Sequence, residues 1–190
     1  MSNNIFKRYP QIKPILYNLF TVLILDQVTK YLARIFLQPK HSVAVIDNFF
    51  RLTYVENPGI AFGVRINNKV FFTVLTILAV ILIFYYLIAL RNQKTLRFAF
   101  ALILGGAFGN LIDRFIYGSV VDFFDFEFFN IHIPPFKFLF YHFHGYMMDR
   151  WPVFNIADSA VTIGMILIIV NVFLSSKSPE KKSDAIPENH

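Results

Sequence analysis

Four stretches of this chain are apolar for long enough to matter, and polar, turn-rich segments separate them. They run over about 14–37, 70–90, 96–117 and 153–174, and each reaches the roughly 20 residues that a helix needs to cross a hydrocarbon core. The second is the plainest, with no charge between Val70 and Leu90. The other three carry ionisable residues inside the apolar run, a pattern that is costly in lipid and therefore informative. Two longer connections lie between them, about 38–69 and 118–152. The first mixes β-branched and aromatic residues with turn formers at Asp47-Asn48 and Asn57-Pro58-Gly59, which predicts a small sheet. The second, FFDFEFFNIHIPPFKFLFYHFHGYMMDRW, is too aromatic for a solvated loop and is expected to pack on the bilayer face.

Basic residues orient this pattern. Lys7, Arg8 and Lys13, then Arg91, Lys94 and Arg97, then Lys177, Lys181 and Lys182 fall on one side in short segments, and the positive-inside rule makes that side cytoplasmic. The expectation is an all-α membrane protein of four transmembrane helices with both termini inside. A small β-sheet and the aromatic loop would lie on the outer, periplasmic face. Residues 1–175 read as a single integral-membrane domain and 176–190 as a polar, disordered cytoplasmic tail. The first apolar stretch follows basic residues as a signal peptide would, but it is long and lacks a small-residue cleavage site, so it reads as a retained anchor.

Composition sharpens the picture. The 190 residues are 56% hydrophobic and 18% aromatic, with 24 phenylalanines and only 16% charged, more apolar than a wetted surface allows. The formal charge of +6 is spread along the chain with no basic helix, so nucleic acid is not an expected partner. There is no cysteine, which excludes a disulfide, a thiolate metal site, a cysteine nucleophile, and the possibility that this chain is itself a lipid-modified lipoprotein. His142 and His144 sit two apart in the aromatic connection and read as interfacial residues, not metal ligands. No serine lies in a nucleophile elbow. No metal and no cofactor are expected.

The chemistry rests on acids. A carboxylate inside a bilayer costs about 2.5–3.5 kcal/mol on insertion scales, so Asp26, Asp113 and Asp158, within the spans, are functional candidates, and Asp122 follows the third span closely. Asp26 has Lys30 four positions on and Asp113 is adjacent to Arg114. A nearby cation keeps a carboxylate ionised, so Asp26 reads more as scaffold, while Asp113 divides evenly between scaffold and function. Asp122 and Asp158 have no basic neighbour at helical spacing and lie among apolar residues, which raises a carboxyl pKa. They read either as a pair sharing a proton or as polar caps at helix ends. Asp158 is expected about one and a half turns into the fourth helix, roughly 8 Å deep. Asn110, Asp113 and Arg114 share one face of the third helix, as Asn155 and Asp158 share one face of the fourth, so these polar faces are expected to meet. Gly105, Gly106 and Gly109 include a G-x-x-x-G spacing suited to close helix approach.

Five blocks in order, LDQVTK at 25–30, ENPGIAFG at 56–63, GGAFGNLIDR at 105–114, VVDFF at 120–124 and FNIADSAVTIG at 154–164, resemble the signatures of bacterial lipoprotein signal peptidases. The resemblance implies an inner-membrane aspartic endopeptidase that cuts diacylglyceryl-modified prolipoproteins just before the lipidated cysteine. It implies Asp122 and Asp158 as catalytic residues and an active site near the outer leaflet. It places Asp26, Lys30, Asn57, Gly59, Asn110, Asp113, Arg114 and Asn155 around substrate and dyad. It also implies membrane lipids as surroundings and globomycin-type antibiotics as inhibitors, and a monomer is expected. Two features depart from the family pattern: the aromatic insertion from about 126 to 150, and Pro58 and Ile60 in the glycine block. The chief alternative is a proton- or ion-coupled transporter, which predicts polar groups at several depths. A non-enzymatic assembly subunit would tolerate loss of either acid.

Overall fold

A computed structural model describes residues 9–58, 60–61, 64–65, 69–89, 93–128, 131–138 and 140–176. Helix α1 spans Ile12–Leu32 and runs on through a π-helical turn, Ala33–Leu37. Strands β1 (Ser42–Ile46), β2 (Phe50–Asn57), β3 (Ile60–Ala61) and β4 (Val64–Arg65) follow, then α2 (Lys69–Ala89) and α3 (Lys94–Ile116). After β5 (Val120–Phe126) come four short strands, β6 (Ile131–Ile133), β7 (Phe136–Phe138), β8 (Tyr141–Phe143) and β9 (Tyr146–Met148), and finally α4 (Ile156–Ser176). The tail anticipated over 176–190 lies, apart from Ser176, outside the described residues.

The burial pattern is inverted relative to a protein folded in water. Asp26, Lys30 and Asp113 are completely buried, while Tyr17, Phe20, Ile24, Val28, Ile81, Leu82, Phe84, Ile166, Ile169 and Phe173 are exposed on the helix surfaces. A chain that hides its charges and presents its apolar side chains is built for lipid. Among the described residues two helices, Lys94–Ile116 and Ile156–Ser175, are long and apolar enough to cross a membrane, with mean hydropathy of 1.6 and 2.1.

Helix α3 is central, packed by α4, α1 and α2. Its small residues allow this. Gly105 faces Leu19 and Val22 of α1, Gly106 faces Ala157 and Val161 of α4, and Gly109 abuts Asp26. The G-x-x-x-G pair is therefore the α1 contact, with the glycine between them turned to α4. At its far end α3 closes on Tyr117 and Gly118; the Gly118 N–H bonds the Arg114 carbonyl at 3.2 Å and its φ of 85° is the left-handed conformation that glycine adopts freely. The chain then turns directly into β5.

The sheet differs from expectation in one strand. β1 and β2 form the anticipated hairpin, with Asn48 at φ 58° in its turn, but β5 from the second connection joins them in the order β1-β2-β5. Val55 lies opposite Asp122 and Asn57 opposite Val120. Alternation along β5 sends Val121 and Phe123 into a cluster with Ala33 and Leu37, and therefore turns Asp122 to the other side. The rest of that connection is a β-arm: β6 pairs β9 and β7 pairs β8, both antiparallel. The arm's base is closed by backbone bonds from Trp151 N to Phe126 O (2.9 Å) and between Phe154 and Phe124 (2.8 and 3.1 Å).

Those last bonds shorten the fourth helix relative to the sequence expectation. Phe154 makes an isolated antiparallel bridge to Phe124 of β5, and α4 begins at Ile156. Asp158 therefore lies in the first turn, not one and a half turns in. The apolar run did not reveal the boundary because Val153 and Phe154 suit a strand as well as a helix.

Candidate active site

Asn155 is the N-cap of α4, and this one side chain organises the site. Its Oδ1 accepts the backbone N–H of Asp158 at 2.9 Å, while Asp158 Oδ2 accepts the backbone N–H of Asn155 at 3.2 Å. This reciprocal pair is a capping box built from Asn and Asp. With its oxygen committed to the cap, the Asn155 amide points its donors outward, to Asp122 Oδ1 at 2.7 Å, to the Val121 carbonyl and to Asn110 Oδ1, each at 3.2 Å.

Each carboxylate has a second asparagine. Asn57 Nδ2, at the end of β2, donates to Asp122 Oδ2 at 3.1 Å, and Asn110 Nδ2, on α3, donates to Asp158 Oδ1 at 2.9 Å. Lys30 Nζ donates to Asn110 Oδ1 at 2.8 Å, which orients that amide so that its nitrogen faces Asp158. Strand, helix cap and two helix faces thus converge on Asp122 and Asp158, and the polar faces anticipated for α3 and α4 do meet. Burial first, and then the charge of Asp158, push the Asp122 carboxyl up to about 7, the condition in which one of two neighbouring acids keeps a proton near neutrality.

Beneath the pair lies a self-neutral charge cluster. Lys30 bridges Asp26 (2.8 Å) and Asp113 (3.3 Å), and Arg34 adds a second cation to Asp113 at 3.2 Å. Asp26 also accepts the Ala157 N–H at 3.0 Å, and Asp113 accepts the Val121 N–H at 3.2 Å. These two acids fasten α1 and α3 to the first turn of α4 and to β5, the elements carrying the other two. The expected local partner of Asp113 was Arg114; its cations are Lys30 and Arg34 instead. Arg114 points away from its neighbour, donating to Thr76 of α2 at 3.4 Å and lying in the field of Asp158, Asp122 and Asp113. Arg34 escaped the sequence reading, although it continues the Asp26, Lys30 face by four residues. Gly59 lies outside the described residues.

A methyl group at Gly109 would strike Asp26 Oδ2. Gly109→Ala is expected to displace that carboxylate from Lys30 and from the α4 first turn and to destabilise the fold by about 1–3 kcal/mol. Thermal unfolding in detergent measures it; an unchanged midpoint would show that α1 has room to move.

Helices that bury charge and expose apolar surface, with two carboxylates both bonded to Asn155, fit a membrane enzyme of the aspartic peptidase class. Comparison with known proteins gives the family. A sequence model described as Signal peptidase (SPase) II matches residues 18–174. Lipoprotein signal peptidases from Pelodictyon phaeoclathratiforme and Caldanaerobacter subterraneus are 41% and 44% identical to this chain, over 86% and 77% of it and 93% and 87% of their own lengths. A bacterial membrane enzyme of known structure superposes with a TM-score of 0.71 at 33% identity, covering 93% of this chain and 96% of its own. The chain belongs to the signal peptidase II family. That membership decides for a peptidase over the transporter that the buried charges also allowed.

Proposed function

We propose that this enzyme removes signal peptides from diacylglyceryl-modified prolipoproteins by hydrolysing the bond just before the lipidated cysteine, with Asp122 and Asp158 as the catalytic pair. One observation carries the reading: Asn155 binds Asp122 directly and holds Asp158 through the helix cap. One acid of such a pair stays protonated while the other is a base. The ionised acid takes a proton from a water as that water attacks the scissile carbonyl, and its partner donates a hydrogen bond to the developing oxyanion. Collapse of the tetrahedral intermediate expels the cysteine amine, which takes up a proton. Asn57, Asn110 and Asn155 hold the pair in place. Asp26, Lys30 and Asp113 form the charge scaffold beneath, and Arg114, with Gly59 in the outer connection, belongs to the substrate side.

In this reading α1 to α4 all span the inner membrane as one domain over 1–175, termini inside, with the sheet and dyad at the outer leaflet. The basic residues of the short connections support the orientation, and the position of Asp122 and Asp158 beyond α3 and at the start of α4 supports the depth. Surrounding lipid is the enzyme's solvent. The pair is complete within one chain, which supports a monomer, and globomycin-type inhibitors would occupy the same site.

The test is cleavage of a purified diacylglyceryl prolipoprotein across pH. Since the Asp122 carboxyl lies near 7, raising the pH through about 7 removes the second proton from the pair, and the rate is expected to fall. A rate that stays flat to well above neutrality would remove the shared proton from the mechanism. The same shift affects stability with a definite sign. Between the ordinary value of 3.8 and about 7 the native chain holds a proton that the unfolded chain has released, so the contribution of Asp122 becomes less favourable as pH rises across that window.

A further inference from the structure

The arm between β5 and α4 is the largest feature that catalysis leaves unexplained. Its two strand pairs, Ile131–Ile133 with Tyr146–Met148 and Phe136–Phe138 with Tyr141–Phe143, are nested as in a hairpin, and the pairing is interrupted at Pro134-Pro135 and His144-Gly145. The strands pack chiefly against each other. Phe140 at the turn is fully exposed, and Ile131, Ile133, Phe136 and Met147 are exposed along the arm. A hairpin surrounded by water would not keep this surface bare.

Two properties identify what covers it. The first is charge: from 131 to 148 there is one lysine, Lys137, three histidines and no acid, a composition that complements anionic headgroups and resists burial in a neutral protein groove. The outer strand pair is also two-faced. Phe136 and Phe143 pack with tilted rings whose centres are 5.0 Å apart, while Lys137 and His142 oppose each other on the other face. The second is continuity with the lipid-facing surface. Phe115, Ile116 and Tyr117 are exposed at the end of α3, just before β5, and Phe128 and Trp151 are exposed where the arm departs and returns. Aromatic rings with polar companions at such a boundary are the composition of the membrane interface.

We propose that the arm from Ile131 to Met148 is a lipid-surface anchor, setting its aromatic tip among the headgroups of the outer leaflet with anionic lipid as its preferred contact. The inference rests on the orientation proposed above. Apolar rings and a cation together supply the two attractions that stable interfacial binding requires. Its base is rigid: Arg150 Nε and Nη1 bond Asp125 and Glu127, each at 2.7 Å, and Thr53 bonds the same Asp125 at 2.6 Å. Anchoring the tip therefore sets the height of β5, and with it Asp122, relative to the leaflet in which the substrate's acyl chains sit.

Because the chain has no cysteine, Phe140→Cys gives a single labelling site for an environment-sensitive fluorophore in the full-length protein. Ile166→Cys, on the exposed face of α4, is the lipid-embedded control. In vesicles containing phosphatidylglycerol, the Phe140 label is expected to be quenched by lipids with a nitroxide near the headgroup and to lose quenching by aqueous iodide, with a weaker response in pure phosphatidylcholine. If the Ile166 label is quenched by lipid and the Phe140 label remains open to iodide, the anchor is wrong while the membrane reading stands. If the Phe140 label becomes protected only when lipidated substrate is added, the arm is a substrate clamp and the proposal fails. If neither label meets lipid quenchers, the membrane orientation fails with it.

Discussion

Asp122→Asn and Asp158→Asn proteins are each expected to fold and to cleave no lipidated substrate above background. Asparagine keeps the shape and most of the hydrogen-bonding capacity of the site. At position 122 the amide oxygen can still accept from Asn57 or Asn155, and at position 158 it can still close the capping box with Asn155. What it cannot do is take the proton from water or share one with its partner. Each proton-transfer role is worth about 10²–10⁴ in rate, and because the two acids act as a unit the double mutant should be little worse than either single one. The measurement is cleavage of a purified diacylglyceryl prolipoprotein, with unfolding midpoints run alongside. Residual activity in both folded variants would move the chemistry elsewhere, and Asp113 would be the next acid to examine.

Lys30→Met should have the largest effect on stability. Methionine fills similar volume, but it leaves Asp26 and Asp113, both completely buried, to share Arg34, which reaches only Asp113. Removing one partner of a buried ion pair costs about 3–5 kcal/mol, since the remaining charge is stranded. It also removes the shorter of the two bonds that orient Asn110, whose oxygen is then held by Asn155 alone. The expected result is a protein with a greatly lowered unfolding midpoint in detergent. Replacing Lys30, Asp26 and Asp113 together by apolar residues should recover part of the loss, because the stranded charges are gone. A Lys30→Met protein as stable as the parent would mean that water reaches this cluster and solvates the remaining acids.

Much of this site was legible from residue order. The Asp26, Lys30 spacing announced the ion pair, and the Asn110 and Asn155 positions, each three residues before an aspartate, announced polar faces that would meet. The sequence could not say where strand gives way to helix between Val153 and Ile156, since β-branched and aromatic residues serve both and the deciding interaction is the ladder to Phe124, some thirty positions away. Nor could it choose the cation for Asp113. Arg114 is its neighbour in sequence, but successive side chains on a helix diverge by about 100°, so Arg114 turns towards Thr76 while Lys30 and Arg34 reach across from another helix. The Asp125, Thr53 and Arg150 cluster was missed for the same reason: it joins three separate segments and has no local pattern.

The closed ladder at the root of the β-arm bears on how this enzyme can change. Because Phe124 and Phe154 are paired, the chain between them is a loop whose ends are already held, and the entropy of closing such a loop grows only with the logarithm of its length, about 0.6 kcal/mol per doubling. The segment between the two acids is thus a permissive insertion point, free to lengthen, shorten or exchange its contents over generations while the distance between Asp122 and Asp158 stays under the control of Asn155. A foreign hairpin or epitope grafted between Ile131 and Met148 should leave peptide hydrolysis in detergent intact, making this the place to attach a reporter to the enzyme.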